Sequence, residues 1–148
     1  MSRATWSQLI IFIKMQSKSP LKFTKLWLTI GFLMIAVVVF FSLIPTPPQI
    51  VGFSQSDKFV HFVTYLFLML WFAQIYSLGN IHLLLFVGFV SMGIVLEFLQ
   101  GMSHQRSFEY TDMLANSGGV LLGLILAKTK VGTCLVVLEK KLMHFEKS

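Results

Sequence analysis

The sequence predicts an all-α membrane protein, a bundle of four transmembrane helices with both termini in the cytoplasm. Three observations carry that prediction. Hydrophobic residues make up 55% of the 148 and charged residues only 12%, with a mean hydropathy of +0.77; soluble domains carry about twice that charge fraction. The apolar residues fall into four runs, each about the 17–25 residues a helix needs to cross the hydrocarbon. The basic residues lie almost wholly outside those runs, so the net charge of +6 reads as orientation in a membrane rather than nucleic-acid binding.

A basic segment, residues 1–25, comes first and carries Arg3, Lys14, Lys18, Lys22 and Lys25. Trp6, Leu9, Ile10, Phe12 and Ile13 form an apolar patch within it, readable as an interfacial amphipathic helix or as a frayed tail. The first span is expected over Leu26–Ile44. Its run is too long for a signal core and lacks a small-residue cleavage site, so it reads as retained. Pro45, Pro47 and Pro48 end it, because each fixes φ and removes a donor.

The second span is expected over Lys58–Ser77, with Gly79-Asn80 as a turn. The third runs over Ile81–Gln100 and stops at Gly101. The fourth runs over Asp112–Ala127, closing a transmembrane domain of residues 26–127. The remaining 128–148 read as a basic cytoplasmic tail, in which Val131–Leu142 mixes apolar and basic residues and either lies in the headgroup region or frays. Cys134, the single cysteine, allows no intrachain disulfide and reads as an apolar filler.

Ten basic residues flank the spans at the termini, and two, Lys58 and Arg106, lie between them. The positive-inside rule then places both termini in the cytoplasm and the 45–57 and 101–111 loops outside. The charged residues of the middle, with His61, Gln100 and Asn116, fall at that outer end. Ionisable groups at a membrane edge are costly, so their clustering points to a polar site on one face of the bundle.

Asp57, His61 and Tyr65 follow i, i+4, i+8 spacing, one helical stripe with about 6 Å of rise between neighbours. Asp57 serves either as a helix cap or in a site. His61 is either a satisfied core residue or part of the site. Glu97 and Gln100 share a face at i, i+3, and Arg106 is the natural two-pronged partner for Glu97. That pair is either a structural clasp or a binding element. Asp112 suits a cap for the fourth helix, and Asn116 one turn on suits an interhelical bridge.

Gly119 and Gly123 form a GxxxG pattern, read as close helix contact inside the monomer, with a homodimer face as the alternative. Asp57, His61, Glu97 and Asp112 are legitimate metal ligands, yet no HExxH or Cys/His ligand spacing is present, so a metal is not expected. No nucleophile elbow, Walker loop or dinucleotide fingerprint occurs, and no cofactor is expected.

In order, Asp57-Lys58-Phe59-Val60-His61-Phe62, Glu97-Phe98-Leu99-Gln100, Arg106-Ser107-Phe108-Glu109-Tyr110-Thr111-Asp112 and Asn116-Ser117-Gly118-Gly119 resemble the motifs of the VanZ-like family of small bacterial membrane proteins. The resemblance runs from the first span to about Ala127. It departs at Ser103-His104-Gln105, where the family often has Pro or Gly before the Arg. It implies a four-helix inner-membrane module and carries Asp57, His61, Glu97, Gln100, Arg106, Asp112 and Asn116 as motif positions. The family's named member is associated with low-level resistance to teicoplanin, a glycopeptide antibiotic that binds cell-wall precursors outside the membrane.

Three functions follow as expectations. One is a site for a lipid headgroup or a lipid-linked envelope precursor, with Arg106 and His61 as donors and Glu97 and Asp112 orienting them. Another is an enzyme acting on a lipid or lipid-linked phosphate, with His61 as general acid/base placed by Asp57; Ser103, Ser107 and Thr111 are nucleophile candidates by location only. The third is a structural partner whose polar groups are caps and clasps. A transporter is disfavoured, because no span carries a charge near its midplane. Membrane lipids are the expected partners, without nucleic acid, and the sequence leaves oligomeric state open.

Overall fold

The computed structural model describes residues 21–44, 56–76, 79–102 and 108–145. Its elements are α1 (Thr24–Leu43), α2 (Ser56–Ile75), α3 (Gly79–Gly101), α4 (Tyr110–Ala127), a 3-10 turn (Lys130–Thr133) and α5 (Cys134–Phe145), with no strand among the described residues. The first four helices are long and apolar enough to cross a membrane, and the chain reads as a multi-pass membrane protein.

The boundaries follow local chemistry. Ile44 turns to φ −72°, ψ 140° after α1, the extended geometry that a following proline imposes. Gly79-Asn80, expected as a turn, instead opens α3; asparagine and glycine are tolerated where a helix begins. Glu109 is extended at φ −128°, ψ 114°, and α4 starts at Tyr110. The side chain of Glu109, the residue before α4, makes no capping bond, and the acid in the opening turn is Asp112. The helix dipole favours it there.

The bundle is built around α2 and α4. A side-chain carbon on Gly119 would collide with the Phe62 carbonyl oxygen of α2, and one on Gly123 with that of Leu66. The two glycines therefore let α4 lie directly on the α2 backbone. Tyr65, Leu68, Met69, Phe72, Ala73, Phe89 and Val120 form the core, with Phe72 and Phe89 rings 5.5 Å apart. Leu83, Leu84, Leu114, Phe32 and Phe40 point outward, as expected of a surface solvated by hydrocarbon.

Residues 134–145, within the stretch for which an amphipathic helix and a frayed tail were both expected, form a helix secured at two points. The Leu135 N–H in the first turn of α5 donates to Gln74 Oε1 of α2 at 2.9 Å. The Glu139 carboxylate accepts the N–H groups of Lys22 at 2.8 Å and Phe23 at 2.6 Å, just before α1. Trp27 Nε1–H also donates to it, at 3.4 Å. Leu135 and Glu139 are one turn apart and both buried. Each supplies or fills an orphan group at a helix end. His82 Nε2 lies 2.6 Å from the Tyr76 carbonyl and 3.1 Å from that of Ala73, satisfying the end of α2.

Candidate functional site: a polar cluster at one end of the bundle

The start of α2, the end of α3 and the start of α4 meet at the end of the bundle opposite α5. On α2, Lys58 and His61 are one turn apart, and Tyr65 follows one turn deeper. Lys58 Nζ lies 2.6 Å from Glu109 Oε2 and 3.4 Å from Asp112 Oδ1. His61 Nε2 lies 3.8 Å from Asp112 Oδ2. Two cationic or imidazole groups of α2 thus face two acids at the head of α4. Thr111 Oγ1 adds a hydrogen bond to Glu109 Oε2 at 3.2 Å.

Glu97 is 2% exposed near the end of α3. Its Oε1 accepts the main-chain N–H of Glu109 at 2.7 Å, which joins α3 to the segment entering α4. Aromatic rings hold that segment. Phe108 sits 5.2 Å from Phe98 and 4.7 Å from Tyr110, and its Cβ occupies the space where Gly101 lacks a side chain. Beneath, the Asn116 amide and the Tyr65 ring both border Gly93 of α3.

Among the described residues, buried oxygens without hydrogen-bond partners concentrate here: Tyr65 Oη, Glu97 Oε2, Asp112 Oδ1 and Asn116 Oδ1. Asp112 Oδ1 lies near Lys58 without hydrogen-bond geometry. Three of the four are acceptors only, so the cluster has acceptor capacity to spare. The described charges run the same way, with Lys58 against Glu97, Glu109 and Asp112. Glu109 stays ionised to lower pH than an ordinary glutamate. The Lys58 hydrogen bond is the main cause, followed by the Lys58 charge and Thr111. The pair is partly exposed, so solvent screens it.

The sequence-chosen residues divide. His61, Glu97, Asp112 and Asn116 come together across three helices. Asp57 is exposed at the start of α2. Among the described residues the carboxylate in ion-pair range of His61 is Asp112, so the expected Asp57–His61 pair is replaced by one between helices. Gln100 turns to α1, donating Nε2–H to the Ser42 carbonyl at 2.8 Å. Arg106, with Ser103 and Ser107, lies outside the described residues, and so does any Glu97–Arg106 clasp. No three His, Cys, Asp or Glu side chains among the described residues gather as a metal site.

Sequence reasoning counted Lys58 and Glu109 among the clustered polar residues but gave neither a place among the site residues. It missed Gln74, His82 and Glu139 altogether. A glutamate in an apolar–basic stretch was the available signal for the last of these. No protein-family model matches this chain, and no curated protein or solved structure does either.

Proposed function

We propose that this chain is a VanZ-like protein of the bacterial inner membrane whose polar cluster binds the headgroup of a lipid or of a lipid-linked envelope precursor on the extracytoplasmic side. The observation that carries the reading is the meeting of Lys58 and His61 with Glu97, Glu109, Asp112 and Asn116 at one end of the bundle. Groups of both signs at a membrane edge suit a headgroup of both signs. A phosphate finds the Lys58 ammonium, and an ammonium finds surplus carboxyl and amide oxygens. The orientation rests on charge. Lys22, Lys25, Lys128, Lys130, Lys140 and Lys141 gather at the opposite end, which the positive-inside rule assigns to the cytoplasm.

Native mass spectrometry of the detergent-solubilised protein with phosphatidylethanolamine tests this. Lys58→Ala is expected to lower lipid retention while leaving the melting temperature within a few degrees of wild type. Unchanged retention counts against the reading. A parallel fall in yield and melting temperature identifies the cluster as a structural clasp instead.

A second reading has one specific support. His61 and Asp112 stand 3.8 Å apart, the kind of imidazole–carboxylate neighbourhood in which a general base is oriented. Turnover of a lipid-linked phosphate that is lost in His61→Ala and kept in Asp57→Ala would favour an enzyme.

A further inference from the structure

Helix α1 is secured at its two ends and stands away from α2 between them. At the α5 end, Trp71 Nε1–H of α2 donates to the Trp27 carbonyl at 3.0 Å. Nearby, Gly31 lets α1 come against the rings of Phe72 and Trp71. At the polar end, the Gln100–Ser42 bond ties α1 to α3. Between these ties lies a groove of about 460 Å³, lined by Leu33, Met34 and Val37 of α1 and by Val63, Thr64 and Phe67 of α2. Leu33, Val37, Val63 and Phe67 are between 41% and 61% exposed, so the groove opens on the surface that faces hydrocarbon.

Its position relative to the polar cluster is fixed by helix geometry. Thr64 is three residues after His61, on the same side of α2, and Val38, which also lines the groove, is one turn before Ser42. The groove therefore begins about one turn below the cluster, next to it along α2 at Thr64 and along α1 at Val38.

The dimensions select the occupant. The lining of α1 runs from Ile30 to Val38, about 12 Å of rise. Spread over that length, the volume gives a cross-section of about 40 Å², roughly half that of a helix with its side chains, about 10 Å wide. A hydrocarbon chain lies within a groove of that width, whereas a helix could only rest across its mouth.

We propose that the α1–α2 groove holds one hydrocarbon chain of the amphiphile whose headgroup occupies the polar cluster. The inference rests on the headgroup reading above and adds to it the ligand's class, a long-chain lipid rather than a soluble headgroup analogue. The chain contributes through van der Waals packing against the groove walls, and the cluster selects the head.

The test compares long-chain phosphatidylethanolamine with its dihexanoyl counterpart by native mass spectrometry of the full chain in detergent. Wild type is expected to retain the long-chain lipid at least about tenfold better, because only the long chain reaches along the groove and packs against its walls. Val37→Trp and Val63→Trp fill the groove and are expected to remove that preference. Leu84→Trp, on an exposed face of α3, is expected to keep it. A lipid carrying a photoreactive group on its chain, used with unsubstituted protein, is expected to label α1 and α2 between residues 30–38 and 63–68, a readout that no folding defect can mimic.

Loss of retention in Lys58→Ala with no effect of either tryptophan and no groove labelling overturns the chain site and leaves the headgroup reading standing. Groove labelling and tryptophan sensitivity with Lys58→Ala unchanged support the chain site and overturn the headgroup assignment. With Cys134→Ser as background, a Val37→Cys disulfide dimer formed efficiently in membranes would place a second copy in the groove and overturn the proposal.

Discussion

The buried carboxylate of Glu97 accepts the main-chain N–H of Glu109 at 2.7 Å, so an acid of α3 sets where α4 begins. The same bond leaves the Glu109 side chain free to meet Lys58. Removing the acceptor strands a part-buried N–H. Glu97→Ala is expected to destabilise the protein by about 1.5–3 kcal/mol, and Glu97→Gln, which keeps an acceptor, by less. Thermal unfolding in detergent checks the order. Equal losses would show that the bond to Glu109 is not what Glu97 contributes.

Gly119 faces the Phe62 carbonyl with no room for a side chain, while Gly88 meets nothing within 4 Å. Gly119→Leu is expected to cost several kcal/mol or abolish folding, since the backbones would have to separate. Gly88→Leu is expected to change stability by less than about 0.5 kcal/mol. Crosslinking distinguishes the contact partner. Loss of dimer in Gly119→Leu with the monomer intact would assign the glycine face to a homodimer.

Glu139 joins α5 to the start of α1. Burial raises its pKa, but the N–H groups of Phe23 and Lys22, the Trp27 indole and the Lys22 charge outweigh burial and hold it below the usual glutamate range. Glu139→Ala removes these acceptors and is expected to cost about 0.5–2 kcal/mol. Amide exchange at Lys22 and Phe23 should accelerate, and proteolysis after Lys140 and Lys141 should increase. Exchange unchanged in the variant would mean that α5 stays docked through Leu135 alone.

The pH dependence follows from two acids whose folded pKa values are depressed, Glu139 and Glu109. A depressed folded pKa gives stability that is fully present above the unfolded value and is lost as pH falls through the folded one. The protein is therefore expected to keep its melting temperature from neutral pH down to the ordinary carboxylate range and to lose stability below it. Glu139→Ala should flatten that acid limb. Because Glu109 is partly exposed, its share should also shrink in high salt. An acid limb identical in wild type and Glu139→Ala would refute this assignment.

Asp57 is exposed at the cluster end and Cys134 is exposed at the other. With Cys134→Ser as background, Asp57→Cys is expected to react with a membrane-impermeant maleimide on intact cells, and native Cys134 only after lysis. The reverse pattern would invert the orientation read from charge.

Much of the fold was legible in one sequence because lipid imposes a simple demand. Every backbone group in the hydrocarbon must be satisfied within its own helix, so the four apolar runs declare four helices by length and composition alone. Gly119 and Gly123 declared a close helix contact by spacing, but not with which helix. Glu97, Asp112 and Asn116 were conspicuous as polar residues at the ends of apolar runs. Their partners were not, because periodicity relates residues on one helix and says nothing across helices. That is why Asp57 looked like the natural neighbour of His61, four residues away, when Asp112 from α4 takes the place.

Length, apolarity and the distribution of lysines are sums along the chain, and these the sequence determined by itself. The pairing of Lys58 with Glu109, the Glu139 bonds across more than a hundred residues, and the gap between α1 and α2 depend on how helix faces meet. Only the tertiary structure decided those, since a contact between distant segments is set by which backbones can approach most closely.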